Sequence, residues 1–312
     1  MSRLAVVALL ALLPLGALAQ KPVRIVVNAP AGSSIDLVAR AVADPMSLDG
    51  AGPVIVENRP GGAGTLASEA VARAAADGQT LLVSGIDAIV FAFLAANRKP
   101  FDPLTDFTPV ARITRDHWVL AVSPALGVSS VSELVTLARS RPGAVSYASI
   151  GTGSSVHLMG ARFAHGVQIE ALAVPYKESY MPDLVAGRVS YVVHVTAAVG
   201  PQIKSGKLKG LAVFSQERIA YLPELPSIAE AGLPHLVYNA GVVLYAPGAT
   251  PRATVAQLNQ RLNRALASES VRQRFADLGV DPTPGSSEDA VKYVLENLAR
   301  QQRMRELTFG TP

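Results

Sequence analysis

The sequence predicts an α/β protein of two units, each a mixed, mostly parallel sheet flanked by helices, and three observations carry that expectation. Runs rich in β-branched residues alternate with helical apolar patterns along most of the chain. Two junctions far apart share one grammar of strand, small-residue loop and helix: Val23–Val27 leading into Asn28–Asp36, and Val145–Ser149 leading into Ile150–His157. The chain has 312 residues, enough for two cores.

The first residues read as an address. Met1-Ser2-Arg3 gives a positive start, Leu4 to Leu18 is apolar but for Pro14, and Ala17-Leu18-Ala19 is a small-x-small cleavage site. This is the pattern of a secretory signal removed after Ala19, which predicts an exported, periplasmic protein. No later run reaches the roughly 18 apolar residues of a spanning helix. Net charge is +4, or +3 once Arg3 leaves with the leader, with a sequence pI near 9.4. There is no run of Lys or Arg and little aromatic interleaving, which argues against nucleic acid, whereas a mildly basic balance suits small anions. Zero cysteines exclude disulfides and thiolate metal sites. The five histidines show no H-E-x-x-H and no ligand spacing, so neither metal nor cofactor is expected.

At the first junction Ser33 and Asp36 have the Ser-x-x-Asp form of a capping box. Such a turn aims free backbone N–H groups and the positive end of a helix dipole beyond the strand's carboxyl edge, a place to hold an anion. An ordinary βα turn has the same spacing; the second junction, with Gly151, Gly153 and Ser154 before a helix beginning near His157, strengthens the anion reading.

In order, strands are expected at Val54–Val56 and Thr80–Val83, with helical spacing from Leu66 to Ala75 and a turn at Asp77-Gly78. Ser84-Gly85-Ile86-Asp87 reads as a further small-residue loop, and Pro100 to Pro109 as a surface connection. Val119–Val122 leaves the first unit. Ser130 with Glu133 boxes a helix that Arg141-Pro142-Gly143 stops. Strands at Leu172–Lys177, Val189–His194 and Lys209–Phe214 follow. Ser227 with Glu230 should cap a short helix ending at Gly232, and Val242–Tyr245 should return to the first unit. Thr250-Pro251 reads as N-cap and first helical position of an amphipathic helix with Val255, Leu258, Leu262 and Leu266 on one face. A last helix near Asp289 to Arg305 should dock on the first unit.

From Val56-Glu57-Asn58-Arg59-Pro60-Gly61-Gly62-Ala63-Gly64 and Asp77-Gly78-Gln79-Thr80-Leu81-Leu82 onward, the chain resembles the substrate-binding proteins of tripartite tricarboxylate transporters, the TctC or Bug (Bordetella uptake gene) family. Tyr147-Ala148-Ser149 with Gly151, Gly153, Ser154, His157 and Leu158, then Val174-Pro175-Tyr176-Lys177, Ile203 to Leu208, Leu222 to Gly232, and Ala246 to Leu266 continue the match in order. The resemblance implies a two-lobed periplasmic binding protein of type II that closes on a small carboxylate. Di- or tricarboxylates and amino acids are the common cases, and aromatic acids belong in the range to be tried. The expected partners are integral membrane transporter subunits, and the expected state is a monomer. It also implies lobe 1 at 20–118 plus 242–312, lobe 2 at 119–241, and a hinge near 118–122 and 239–244.

The family's loops after the first strand of each lobe act as pincers on a ligand carboxylate, largely through backbone N–H groups and ordered waters. Carried over, these are Ala31, Gly32, Ser33 and Asp36 on one side, and Ser149, Gly151, Gly153, Ser154 and His157 on the other. The ligand-binding set adds Ala29, Gly85, Thr152, Tyr176 and His194. The chain departs from the family at Ala29 (usually aromatic), Ser33 (usually a second glycine), Glu178–Asp183, and Ser190 and His194 (often acidic), so ligand identity does not carry over.

Asp36 reads either as a holder of a water or ligand amine, or as a first-turn carboxylate on the helix dipole. His157 either caps its loop or donates to ligand. His194 favours an anion if protonated, or is a buried, bonded histidine. Lys177 is a countercharge or a solvated lysine, Tyr176 lines the pocket or packs on its sheet, and Trp118 packs at the hinge. Two competing functions remain. A sensory receptor would use the same fold. A nucleotide-dependent enzyme would use Gly62-Ala63-Gly64-Thr65-Leu66-Ala67 with Asp87 as ribose acid, but Glu57 to Gly61 separates strand from glycines. Tyr147-Ala148-Ser149-Ile150-Gly151 lacks the first glycine of a nucleophile elbow.

Overall fold

The computed structural model describes residues 21–49, 52–95, 100–238 and 240–309, so the expected leader at 1–19 and hinge residue Asn239 lie outside the described residues. Strand β1 (Val23–Val27) runs into helix α1 (Ser34–Ser47), whose Val38, Ala39, Val42 and Met46 are buried on one face. Burying each large aliphatic side chain of this kind contributes about 1.5–3 kcal/mol. Next come β2 (Val54–Asn58), α2 (Thr65–Ala72), β3 (Thr80–Gly85), α3 (Ile86–Ala95) and β4 (Phe107–Arg112). The short β5 (Thr114–Asp116) precedes β6 (Trp118–Val122), α4 (Val131–Ser140), β7 (Ser146–Ser149), α5 (Ser155–Gly166) and β8 (Leu172–Pro175). Then follow α6 (Met181–Val185), β9 (Tyr191–Val195), α7 (Thr196–Lys204), β10 (Lys209–Val213) and β11 (Val242–Pro247). The chain ends in α8 (Arg252–Ala267), α9 (Glu269–Leu278), β12 (Val280–Pro282) and α10 (Ser287–Phe309).

These strands form two five-stranded sheets, ordered β2-β1-β3-β11-β4 and β10-β6-β9-β7-β8, plus the ribbon β12-β5. In the first sheet β1, β2 and β3 are parallel, and β11 runs against both β3 and β4. In the second, β7, β8 and β9 are parallel, and β6 runs against both β9 and β10. In both sheets, therefore, four strands point one way and one returns, which gives two lobes of mixed α/β structure. Trp118, Leu120, Phe163, Tyr191 and Phe214 centre the core of the second, while the first packs α1 and α8 on one face and α3 and α10 on the other.

The chain crosses between the sheets twice, from β4 to β6 and from Tyr238 to β11. Each crossing joins carboxyl edges: Trp118 pairs with Val195 at the end of β9, and Val242 pairs with Gly85 at the end of β3. The carboxyl edges of the two sheets therefore face one another.

Expected strands fall within two residues of those observed, and four expectations need correction. Ser84–Asp87 is not a loop: β3 runs to Gly85 and α3 starts at Ile86, because Ile86 and Ile89 are fully buried and draw the chain straight into a helix. The stretch up to Pro109 is not all surface connection, since Phe107 is buried and begins β4 against β11. Ser227 and Glu230 make both capping-box bonds, at 2.7 and 3.0 Å, but turns follow instead of a helix. There Ile228 N–H is drawn to Val213 O and Leu233 N–H to Ile228 O, which ends the segment within one turn. Thr250 does not cap α8: its hydroxyl donates back to Pro247 O at 2.7 Å, and Pro251 takes the cap position.

Candidate functional site

Both small-residue junctions lie on the facing edges. At the first, Ser33 is the N-cap of α1 and its Oγ accepts the Asp36 N–H at 3.4 Å. Gly32 stands at φ +78°, a conformation easy only for glycine, which turns its N–H back onto Asp36 Oδ2 at 2.8 Å. Arg40 Nε donates to the same oxygen at 3.0 Å, and Asn58 Nδ2 donates to Oδ1 at 2.8 Å and to Ala29 O at 3.1 Å. Asp36 is only 1 % exposed. Burial raises its pKa, but the bonds from Arg40, Gly32 and Asn58 outweigh that and hold the carboxyl below the usual range. Both Asp36 oxygens are thus engaged inside the first lobe, and its charge is met by Arg40.

The second junction repeats this arrangement. Ser154 caps α5, accepting the His157 N–H at 3.2 Å and donating to Gly151 O at 2.7 Å. Gly153, at φ +80°, donates its N–H to His157 Nδ1 at 3.2 Å. An imidazole that accepts there is neutral with its proton on Nε2, and burial accordingly lowers its pKa. The ring stacks on Tyr147 at 6.0 Å. In both loops the first helical N–H groups, those of Ser34 and Ser155 onward, have no acceptor within their own helix, as at any helix start.

Around these turns, Ala31, Gly32 and Thr152 are exposed, while Ala29, Ser33, Gly151, Gly153, Ser154 and His157 are half-buried. Ser149 is fully buried, and its Oγ has no hydrogen-bond partner among the described residues. Gly85 ends β3 beside Ile35. Tyr176 lies past β8 with its hydroxyl donated to Asp183 at 2.9 Å, and burial together with that carboxylate raises its pKa. His194 accepts the Val195 N–H on Nδ1 at 2.8 Å and lies between Trp118, stacked at 5.8 Å, and Tyr180, tilted at 6.0 Å. Burial lowers its pKa to about 4, so it is a neutral ring near pH 7. Lys177 is exposed.

Asn28, Arg40 and Asn58 are missing from the sequence-derived set, yet they brace the first loop: Asn28 Nδ2 reaches Ser84 Oγ at 2.7 Å and ties β1's end to β3's. Asn58 was within reach of the sequence, as it belongs to the Glu57-to-Gly64 stretch that carries the family resemblance. A cavity of about 880 Å³ lies elsewhere, beside the crossings, lined by Arg115, His117, Lys204, Tyr221 and Asp281, and no residue of the ligand-binding set lines it. Among the described residues no group of His, Asp or Glu is spaced to hold a metal ion, and no helix is long and apolar enough to cross a membrane.

Two α/β lobes whose facing edges each present a glycine-serine helix start have the architecture of the two-lobed periplasmic binding proteins. The chain belongs to the tripartite tricarboxylate transporter family receptors (TctC), whose profile matches residues 38–308. It is similar to BugT of Bordetella pertussis (strain Tohama I), with 31 % identity over 283 residues covering 90 % of this chain and 87 % of BugT. Among solved structures, an R. palustris protein with adipate has a TM-score of 0.84 and 32 % identity, covering 92 % of this chain and 97 % of that one. MatC from Rhodopseudomonas palustris with bound malate has a TM-score of 0.83 and 30 % identity, covering 91 % of this chain and 98 % of its own.

Proposed function

We propose that this protein captures a small carboxylate between its lobes, through the Gly32-Ser33 and Gly153-Ser154 turns, and delivers it to membrane subunits of a tripartite tricarboxylate-type transporter. The observation that carries the reading is the repeated turn itself: two helix starts of the same construction on facing edges, each with backbone donors to offer an anion. Two structural relatives are described with adipate and with malate, which supports a carboxylate as the ligand class. The ligand-binding set is Ala29, Ala31, Gly32, Ser33 and Gly85 from the first lobe, and Ser149, Gly151, Thr152, Gly153, Ser154, Tyr176 and His194 from the second. Asp36 and His157 belong to it by shaping the turns. With His157 and His194 neutral and Asp36 paired, backbone donors rather than a formal cation carry the recognition.

The lobes divide at 20–118 plus 242–312 and at 119–241, with Trp118 at the boundary already opening β6 of the second sheet, and motion is centred on the two crossings. The mature chain begins at Gln20, acts in the periplasm and is a monomer. A thermal-shift screen of that mature chain against adipate, malate, succinate, citrate, aspartate, glutamate, nicotinate, benzoate and terephthalate tests the reading. A ligand at 100 times its dissociation constant adds about 2.7 kcal/mol. A shift with one acid, absent in Gly153→Asp, is the expected result. A shift that survives that substitution removes the second turn from the site. N-terminal sequencing of the exported protein checks cleavage after Ala19.

A further inference from the structure

Asp87, the acid at the end of β3, takes no part in the two turns, yet it is only 6 % exposed. It stands in the first turn of α3, where its Oδ1 accepts the Tyr238 hydroxyl. Gln301 of α10 donates to that hydroxyl oxygen and, at 3.5 Å, to Asp87 itself. Tyr238 belongs to the other lobe: its N–H donates to Phe214 O at 2.8 Å, its ring lies in the core around the second sheet, and its edge meets Trp118 at 6.1 Å. The Arg162 guanidinium lies 5.0 Å over the Tyr238 ring, and its Nη2 donates to the His235 and Val237 carbonyls at 3.1 and 3.2 Å. Arg162 is carried by α5, the helix whose N-terminus forms the second turn. An unbroken chain of contacts thus runs from α3 and α10 of the first lobe, through the Tyr238 crossing, to the helix of the second turn.

We propose that Asp87 is a positioning residue for ligand capture: through the Tyr238 hydroxyl it sets the docking of the first lobe against the helix that carries the second turn. The inference rests on the capture reading only in linking that docking to ligand.

The carboxyl accepts from a neutral phenol and a neutral amide, not from a cation. Arg162, the cation α5 brings to the cluster, stacks on Tyr238 instead of closing on Asp87, and its Nε and Nη1 are buried without an acceptor among the described residues. Around Asp87 the charged and titratable groups are Tyr238 from the crossing, Arg162 from α5, Arg300 and Tyr293 from α10, Asp116 from β5 and Tyr245 from β11. Burial pushes the Asp87 carboxyl up to about 7; the Tyr238 bond, Arg162 and Arg300 only partly oppose it, and Asp116 adds to it. When the lobes part, Tyr238 and Arg162 withdraw and water returns the acid to its ordinary value. Docking then takes up a proton at pH values between the two, and acid favours docking by up to about tenfold per pH unit below 7.

The chain has no cysteine, so Leu66→Cys and Lys177→Cys place one dye pair on the facing edges, at exposed positions of opposite lobes. Energy transfer is read without ligand from pH 8 to pH 5. The parent should gain docked population as pH falls below 7, Asp87→Asn should stay docked with a flat profile, and Tyr238→Phe should lose docked population. Thermal melts report whether each variant folds. A flat profile in the parent, or an unchanged slope in Asp87→Asn, overturns the proposal. Adipate titrations at pH 6 and pH 8 form a separate arm: affinity should be tighter at pH 6 in the parent and equal at both in Asp87→Asn. If adipate does not bind at either pH, the capture reading is at fault for that acid, while the ligand-free profile still decides the role of Asp87.

Discussion

The two turns are built on nearly the same words, Gly32-Ser33-Ser34-Ile35-Asp36 and Gly153-Ser154-Ser155-Val156-His157. Each has a glycine near φ +80°, a serine N-cap, and a third helical residue whose side chain accepts the glycine N–H. They differ in what that side chain is. In the first lobe it is a buried carboxylate held by Arg40 and Asn58; in the second it is a half-buried neutral imidazole resting on Tyr147. One geometry is therefore fixed in two ways, by charge-assisted bonds on one side and by a single neutral bond and ring packing on the other. The difference teaches that the turn's shape, and not the charge beneath it, is what the two lobes share.

The largest expected effect comes from destroying that shared shape. Neither glycine meets another atom within 4 Å of a built Cβ, so a side chain is accommodated sterically at both. Gly153→Asp and Gly32→Asp should each lower affinity for a carboxylate ligand by at least about 100-fold. They would do so by setting a negative charge among donors aimed at an anion and by straining a left-handed backbone. Calorimetric titration measures it; a variant that binds as the parent does would separate that loop from the ligand.

Next are the side chains that set the two lobes apart. Asp36→Ala removes the acceptor that Gly32 N–H, Asn58 and Arg40 share and should lower stability by about 2–3 kcal/mol, since Asn58 keeps Ala29 O and half-exposed Arg40 keeps Asn58 Oδ1 and finds water. His157→Ala removes one bond and one ring contact, for about 1–1.5 kcal/mol. Urea midpoints compare the two, and equal losses would mean that the charge-assisted network adds nothing over the neutral bond.

Much of this architecture was legible in the sequence because it rests on local patterns. The Ser33 and Ser130 N-caps and the apolar face at Val255, Leu258, Leu262 and Leu266 declare themselves within a few residues and are observed. The Asp36 and Glu133 carboxylates, however, reach one residue past the cap, to the Gly32 and Ser129 N–H, so neither capping box closes as expected. What could not be read is decided by contacts distant in sequence. Asn58 reaches Asp36 from 22 residues away, and Tyr238 reaches Asp87 from 151. The α3 start at Ile86 was hidden because its small-residue lead-in looks like a loop, and only burial under the first sheet makes it a helix. At the facing edges the sequence singled out the turns correctly as strand–loop–helix starts, but gave no sign that Trp118 and Tyr180 enclose His194.

Those aromatic walls give a pH test of the second lobe alone. A histidine held neutral in the fold binds fewer protons than its unfolded form once pH falls below about 6.5, so stability is full above that value and declines toward pH 4. Asp87 acts in the opposite sense, since the fold holds its proton up to about 7 and gains stability as pH falls from there toward its unfolded value. In the parent the two trends offset one another. His194→Phe keeps a ring between Trp118 and Tyr180 and removes only the acid loss. Its stability relative to the parent should therefore rise from pH 7 to pH 5, by up to about 1.4 kcal/mol per unit, in denaturant melts. A parallel course for both proteins would place the His194 proton equilibrium outside the fold's control.

The smallest effect sharpens the comparison at the caps. Ser33→Ala removes one accepted N–H bond, at a long 3.4 Å, and should lower stability by about 0.5–1 kcal/mol. Ser154→Ala removes the accepted His157 N–H and also the bond its hydroxyl donates to Gly151 O, so it should lower stability by about 1–2 kcal/mol. The order follows from the bracing around each serine. The first turn keeps Asp36, Asn58 and Arg40 when its cap is lost, whereas the second depends on Ser154 to hold the loop's two glycines in register. If urea midpoints show Ser33→Ala the more damaging of the pair, the first turn depends on its cap and not on its carboxylate network.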